Sequence, residues 1–222
     1  MIAVDPGFYF ETLYPFQDRV LHAITDLDTG FYLSGGTAAS RGYLNHRFSD
    51  DLALFVDDDP RFALWAARII QTLSSRASWQ CEVLLQEERF VRLMLVEAGI
   101  PLKIECINDV PARVGAVRLH SLLGRLDSPE NILANKITAL IDREEPKDFA
   151  DIWGFCCQMQ LSLSDAITGA QGKAAGVFPV DLARLLLSAT SADWEAVRWI
   201  APPPVEQFLS DLQRLGERLI LL

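Results

Sequence analysis

A glycine pair lies between a short apolar run and a helix-like segment, and the apolar run that follows opens on two aspartates. No other feature of this chain constrains its fold as tightly. The first part reads Phe31-Tyr-Leu-Ser-Gly-Gly-Thr37, and the second reads Asn45-His-Arg-Phe-Ser-Asp-Asp-Leu-Ala-Leu-Phe55. Glycine has no Cβ, so at Gly35-Gly36 the backbone can turn tightly and approach another group closely. The acids of the second run then stand on a strand next to that turn.

Periodicity divides the rest of the chain. From about residue 11 to 28, Leu13, Phe16, Val20, Leu21 and Ile24 recur at helical spacing and predict an amphipathic opening helix. Apolar runs at 31–34, 51–56, 79–85, 90–96 and 102–107 predict strands. Asp59-Pro60 predicts a helix start, with the acid as N-cap and proline at the first position, and a helix to Ser74. After residue 127 the pattern turns helical. Ser128-Pro129-Glu130 opens a helix to Ile141, and Pro146 opens another to Met159. Further helices are predicted at 161–170, 179–189 and 204–220, the last after the stiff Pro202-Pro203-Pro204 connection. The expected organisation is an α/β (α+β) domain over residues 1–127, with a small mixed sheet flanked by helices, and a helical bundle domain over 128–222.

Charge and composition narrow the function. A formal net charge of −10 over 222 residues argues against a broad nucleic-acid-coating surface, because nonspecific binding rests on neutralising phosphates with lysine and arginine. Yet Arg41, His46, Arg47, Lys103, Lys136, Arg143 and Lys147 all fall in or next to the motifs, which concentrates positive charge where phosphates would sit. Charges interrupt the apolar stretches well short of the roughly 20 residues needed to cross a bilayer, so no membrane partner is expected. Met1-Ile-Ala-Val-Asp-Pro-Gly lacks the basic start and apolar run of a secretion signal, and a cytoplasmic location is the expectation. The cysteines at 81, 106, 156 and 157 show no metal-ligand spacing and are read as reduced thiols.

Acids on a strand near a glycine turn suit phosphoryl and nucleotidyl transfer, which depend on positioning and on neutralising charge around the transferring phosphorus. Carboxylates at i and i+2 of a strand share a face and can hold one pair of metal ions. Asp51 and position 53 have that relation, whereas Asp50 faces the other way. A third carboxylate from a neighbouring strand is available in Glu105 of Lys103-Ile-Glu105. Lys136 lies on the apolar stripe of its helix with Leu133 and Leu140, an awkward place for an ammonium unless it reaches an anion. Asp148 and Asp151 share a helical face. They suit either ordering Lys136 or Arg143 or accepting a proton from an acceptor hydroxyl, and acids in the first turn after Pro146 also favour the helix dipole.

Several segments together resemble the AbiEii/AbiGii toxin family of nucleotidyltransferases, within the DNA polymerase β-like superfamily. They are Leu13-Tyr-Pro-Phe-Gln-Asp-Arg-Val-Leu21, the glycine segment, His46-Arg-Phe-Ser-Asp-Asp-Leu52, Asn135-Lys-Ile-Thr-Ala-Leu140, and Arg143-Glu-Glu-Pro-Lys-Asp-Phe-Ala-Asp151. The resemblance covers most of residues 10–155. It implies a nucleotidyltransferase-like fold and nucleotide transfer from a nucleoside triphosphate, with Mg²⁺, to a macromolecular acceptor, an RNA or a protein. The setting it implies is a toxin–antitoxin or phage-defence pair with a cognate antitoxin. Residue by residue, it implies triphosphate binding at Gly35, Gly36 and Thr37 through backbone amides and a hydroxyl at a helix start. Arg47 and Ser49 are implied to position phosphate or the metal strand. Asp51 and Glu105 are implied as metal ligands, and Asp51, Glu105, Lys136 and Asp148 as catalytic residues.

One departure weighs against that chemistry. Family members of this type usually carry aspartate where this chain has Ala53, and losing a bridging carboxylate is expected to cost about 10²–10⁴ in rate. Rescue by Asp50 requires a one-residue register slip that would turn the strand's apolar residues outward. Two classes stay open: a nucleotidyltransferase, and a catalytically degenerate relative that binds a nucleotide or a partner without turnover.

Overall fold

The computed structural model describes residues 4–220, in which a seven-stranded mixed sheet has the order β3-β4-β5-β2-β1-β7-β6. The strands are β1 (Tyr32–Ser34), β2 (Leu52–Asp57), β3 (Gln80–Gln86), β4 (Phe90–Glu97), β5 (Ile100–Asp109), β6 (Arg118–His120) and β7 (Gly124–Leu126). β2 lies at the centre, antiparallel to β1 and parallel to β5. Ala53 therefore stands opposite Ser34 on one side and Glu105 on the other.

Alternation explains which face is buried. Leu52, Leu54 and Val56 of β2 are buried on one side, as are Val91, Leu93 and Leu95 of β4 and Leu102, Ile104 and Cys106 of β5. Those residues meet a helical layer made of α1 and α3. α1 runs in wide π turns over Phe8–Leu13 and continues as Tyr14–Thr25, and α3 spans Phe62–Ser74. Val20, Leu21, Ile69 and Leu73 bring their apolar stripes to the sheet, and Phe31 packs edge-on against Phe62 and Trp65.

The opposite face carries the turn and the C-terminal helices. α2 starts as Gly35–Thr37 directly after β1, continues in π turns as Ala38–Leu44, and packs on β2 and on α4 (Pro129–Arg143). α4 is capped by Ser128, whose Oγ accepts from Asn131 N at 3.2 Å, with Pro129 at the first position. α5 (Pro146–Trp153, continuing as Gly154–Gln158) and α6 (Leu163–Lys173) pack on α4. α7 (Pro179–Ser188), α8 (Ser191–Ala196) and α9 (Val205–Ile220) complete the bundle. The buried core runs without a break from Tyr9 to Leu219.

The mixed α/β architecture is as the sequence predicts, with local differences. Asp59-Pro60 does not open α3: the Asp59 carboxylate accepts from Arg61 N at 2.8 Å, which makes a turn, and the helix begins after Arg61. β6 and β7 are too short for alternation to show. α8 is only six residues long, too short for a period to show, and opens on a capping box between Thr190 and Asp193. Among the described residues no helix is long and apolar enough to cross a membrane, and all four cysteines are free thiols.

Ile104 is fully buried in the middle of β5, opposite Leu52. Ile104→Ala is expected to lower unfolding stability by about 2–5 kcal/mol, read as a lower urea midpoint at unchanged slope.

Candidate functional site

A cleft of about 300 Å³ opens between the uncovered face of β2-β5 and helix α4. Its head is the glycine pair. Gly35 has φ +67°, a left-handed conformation that glycine adopts without strain, and a Cβ there would lie 3.2 Å from Ala53 Cβ. A Cβ on Gly36 would come within 2.9 Å of Arg47 Nη2 and 3.1 Å of Ser49 Oγ. The pair thus brings backbone close to a guanidinium that any larger residue would push aside. Thr37 lies behind the turn. Its hydroxyl donates to the Asp51 carbonyl and lies 2.9 Å from Ser49 Oγ, so it ties α2 to the segment leading into β2.

Asp51, Ala53 and Glu105 stand along the cleft face. Lys103 Nζ lies 2.8 Å from Asp51 Oδ2 and 3.6 Å from Glu105 Oε1, and Arg92 Nε donates to Glu105 Oε1 at 2.9 Å. Burial pulls the Lys103 ammonium down, but the hydrogen bond and charge of Asp51 outweigh it and hold the group above its ordinary pKa. A pair of Mg²⁺ ions needs carboxylate oxygens at a bridging position, and here that position is a methyl group. The remaining two acids are each already matched by a protein cation. Among the described residues no three His, Cys, Asp or Glu side chains are placed to share one ion. This donor set does not fit a two-metal centre.

The other wall is cationic and anchored from behind. Asp151, fully buried, accepts from Arg47 Nε at 2.7 Å, Arg47 Nη2 at 2.8 Å and the His46 ring at 3.0 Å, and lies 2.6 Å from Lys136 Nζ. Burial pushes its carboxyl pKa up, but Arg47 and Lys136 prevail and hold it well below the usual carboxylate range. Asp148, also fully buried, accepts from Lys136 Nζ at 2.8 Å and from Arg143 Nε at 2.9 Å. Both its oxygens are engaged by cations, so its role in this geometry is to order them. Lys136 meets the anions that its place on an apolar stripe demanded. Arg143 and Lys147 are half-exposed and share Glu145, at 3.5 and 2.6 Å.

The cleft therefore gathers Gly35, Gly36, Arg47, Ser49, Asp51, Glu105 and Lys136 along its lining, while Thr37 and Asp148 support it from behind. Other residues were not apparent in the sequence. Arg198 reaches the cleft from the segment between α8 and α9, pairing with Asp50 and donating to the Tyr9 hydroxyl at 2.6 Å, while Tyr9 donates to Asp50 at 2.7 Å. Asp50 is thus held by Tyr9 and Arg198 where the cleft lining continues beyond Asp51. Buried Gln17 donates to the carbonyls of Ser49 and Asp50 at 3.2 and 2.9 Å and fixes the loop before β2. No local signal marks Gln17 or Arg198, because their partners lie 32 and 148 residues away. Arg41 turns aside to Asp18 and Gln17.

A glycine turn feeding a helix, a central strand headed by acids and a cationic helical wall define a protein of the nucleotidyltransferase fold class. Residues 19–156 match the family described as nucleotidyl transferase AbiEii toxin, type IV toxin–antitoxin system, and the chain belongs to that family. Among solved structures, the chain is similar to JHP933 from Helicobacter pylori at 19% identity, TM-score 0.62, over 92% of this chain and 90% of that one. It is also similar to MenT4, a nucleotidyltransferase toxin from Mycobacterium tuberculosis H37Rv, at 14% identity, TM-score 0.60, over 95% and 83%. At these identities the likeness concerns the fold. No curated protein matches the chain.

The anchored wall carries a pH signature. Burial lowers the His46 pKa, against the opposing pull of Asp151, and Arg47 and Lys136 lower it further. Nε2 faces Asp151, and Nδ1 is buried without a partner among the described residues, so protonation would leave an unpaired N–H in the interior. The unfolded chain takes up this proton below about pH 6.5 and the folded chain resists it, so the contribution is complete above that pH and is lost as pH falls. Between pH 7.5 and 5.5 the native chain is expected to lose about 1 kcal/mol more unfolding free energy than His46→Gln, measured by urea titration at both pH values.

Proposed function

We propose that this cleft binds the triphosphate of a nucleoside triphosphate and that the protein is a nucleotidyltransferase toxin acting slowly on a macromolecular acceptor. The observation that carries the reading is the opposition of two walls. Close-packed backbone at Gly35-Gly36 stands beside Arg47, and Lys136, Arg143 and Lys147 face it across about 300 Å³. Backbone amides at a helix start and fixed cations are the groups that hold phosphate oxygens.

In the reaction this site suits, the acceptor hydroxyl oxygen attacks the α-phosphorus and forms the new P–O bond. The bond from the α-phosphorus to the bridging oxygen breaks, pyrophosphate leaves with the charge, and the hydroxyl proton passes to water. Arg47 and Lys136, locked by Asp151 and Asp148, hold the phosphates in place, and the half-exposed Arg143 and Lys147 exchange Glu145 for the departing pyrophosphate. The acceptor is an RNA or a protein, and the family's toxin–antitoxin setting supports a cognate antitoxin as a further partner. Ala53 favours a second reading, binding without turnover, because the bridging acid that the reaction uses elsewhere is absent.

Isothermal titration with each of the four ribonucleoside triphosphates, with and without Mg²⁺, tests the pocket in the native chain and in Ala53→Asp. Micromolar binding is expected in both. Incubation with α-labelled triphosphates, RNA and protein is expected to show transfer about 10²–10⁴ faster for Ala53→Asp with Mg²⁺. Transfer by Ala53→Asp alone selects the second reading. Failure of both chains to bind any triphosphate defeats the pocket.

A further inference from the structure

The charge balance around Ala53 carries one step more, and it rests on the triphosphate cleft proposed above. In this centre Asp51, immediately before β2, and Glu105, on the parallel β5, line the cleft, and the β2 residue opposite Glu105 is Ala53, whose side chain is a methyl group. Lys103 leaves β5 two residues before Glu105, on the same face, and its ammonium reaches both acids, at 2.8 Å to Asp51 and 3.6 Å to Glu105. Arg92 from β4 takes the same Glu105 oxygen at 2.9 Å. Two acids thus meet two protein cations, which leaves a formally neutral cluster. A divalent ion entering it would make the cluster doubly positive or expel Lys103. An acidic bridging residue at position 53 would tip that balance toward a metal, and alanine does not.

We infer that the Lys103 ammonium is the resident cation of this centre, taking the place of a divalent ion at Asp51 and Glu105 and supplying the counter-charge for a triphosphate. Its side chain is one-third exposed, so it can swing from Asp51 to a phosphate oxygen without uncovering the core. Lys103 is thereby a specificity-determining residue. It lets the cleft take a nucleoside triphosphate without a free metal ion.

Mn²⁺ titration of the metal-free protein without nucleotide, followed by electron paramagnetic resonance of the free ion, tests this directly. The native chain and Lys103→Arg are expected to bind no Mn²⁺ in the cleft. Lys103→Met is expected to gain one site at least tenfold tighter than any in the native chain, and that site should disappear when Asp51→Asn is added. Circular dichroism melts of all variants confirm that they fold. Equal Mn²⁺ binding by the native chain and Lys103→Met would overturn the inference. In parallel, titration with ATP, GTP, CTP and UTP in excess chelator is expected to leave native affinity within about twofold of its value with Mg²⁺ and to weaken Lys103→Met at least tenfold. Native affinity that collapses in chelator would overturn the inference as well. If no chain binds any triphosphate, the cleft reading fails, while the Mn²⁺ arm still decides whether Lys103 holds the cation position.

Discussion

The buried carboxylate of Asp151 is the interaction on which the site depends. It gathers His46 and Arg47 from the loop before β2 and Lys136 from α4, so three segments distant in sequence meet at one side chain. Taking ions out of water is costly, and the arrangement holds only because each oxygen has more than one partner. Arg47 has Asp151 as its carboxylate partner, and Lys136 shares Asp151 with Asp148. Once fixed, Arg47 fills the space beneath Gly36 and sets how closely the glycine turn approaches. The cleft's floor, wall and head are in this sense one electrostatic unit, and the pH response of His46 reports on it from inside.

Much of the fold was legible because it is written in short-range patterns. Alternation in β2, β4 and β5 marks a sheet with one face in the core, and Ser128-Pro129 and Pro146 open helices where capping and a fixed φ favour them. Where a local rule failed, another local interaction had won. Asp59 bonds Arg61 and closes a turn, so the helix starts later than the Asp-Pro pair suggests. The three-residue strands β6 and β7 have no room for a period to appear.

The site was legible in its residue types and not in its connections. The isolation of Lys136 on an apolar stripe required an anion, and the structure supplies two, Asp148 and Asp151. Gln17, Tyr9 and Arg198 carry no such mark. Each is an ordinary residue in its own segment and gains a role only through long-range packing, Arg198 because its backbone carbonyl accepts from Phe48 N at 2.8 Å and brings the segment after α8 beside the loop before β2. A site residue whose local environment is already satisfied leaves no trace in a pattern of neighbours.

The cations of the cleft fall into two tiers with different physics. Arg47 and Lys136 are buried and held by fully buried acids, so they are fixed charges that a ligand meets without reorganisation. Lys103, Lys147 and Arg198 are between one-third and one-half exposed and paired with acids of similar exposure, Asp51, Glu145 and Asp50, while Arg143, equally exposed, is shared between Glu145 and the buried Asp148. Exposed pairs of this kind are worth only about 0–1 kcal/mol each, so a multiply charged phosphate can take over their partners at little cost. For the triphosphate proposed here, the deep tier would define where it lies, and the outer tier would close on it by exchanging partners. That division explains how an acidic protein of net charge −10 presents a cleft suited to an anion while keeping each of these cations paired in its absence.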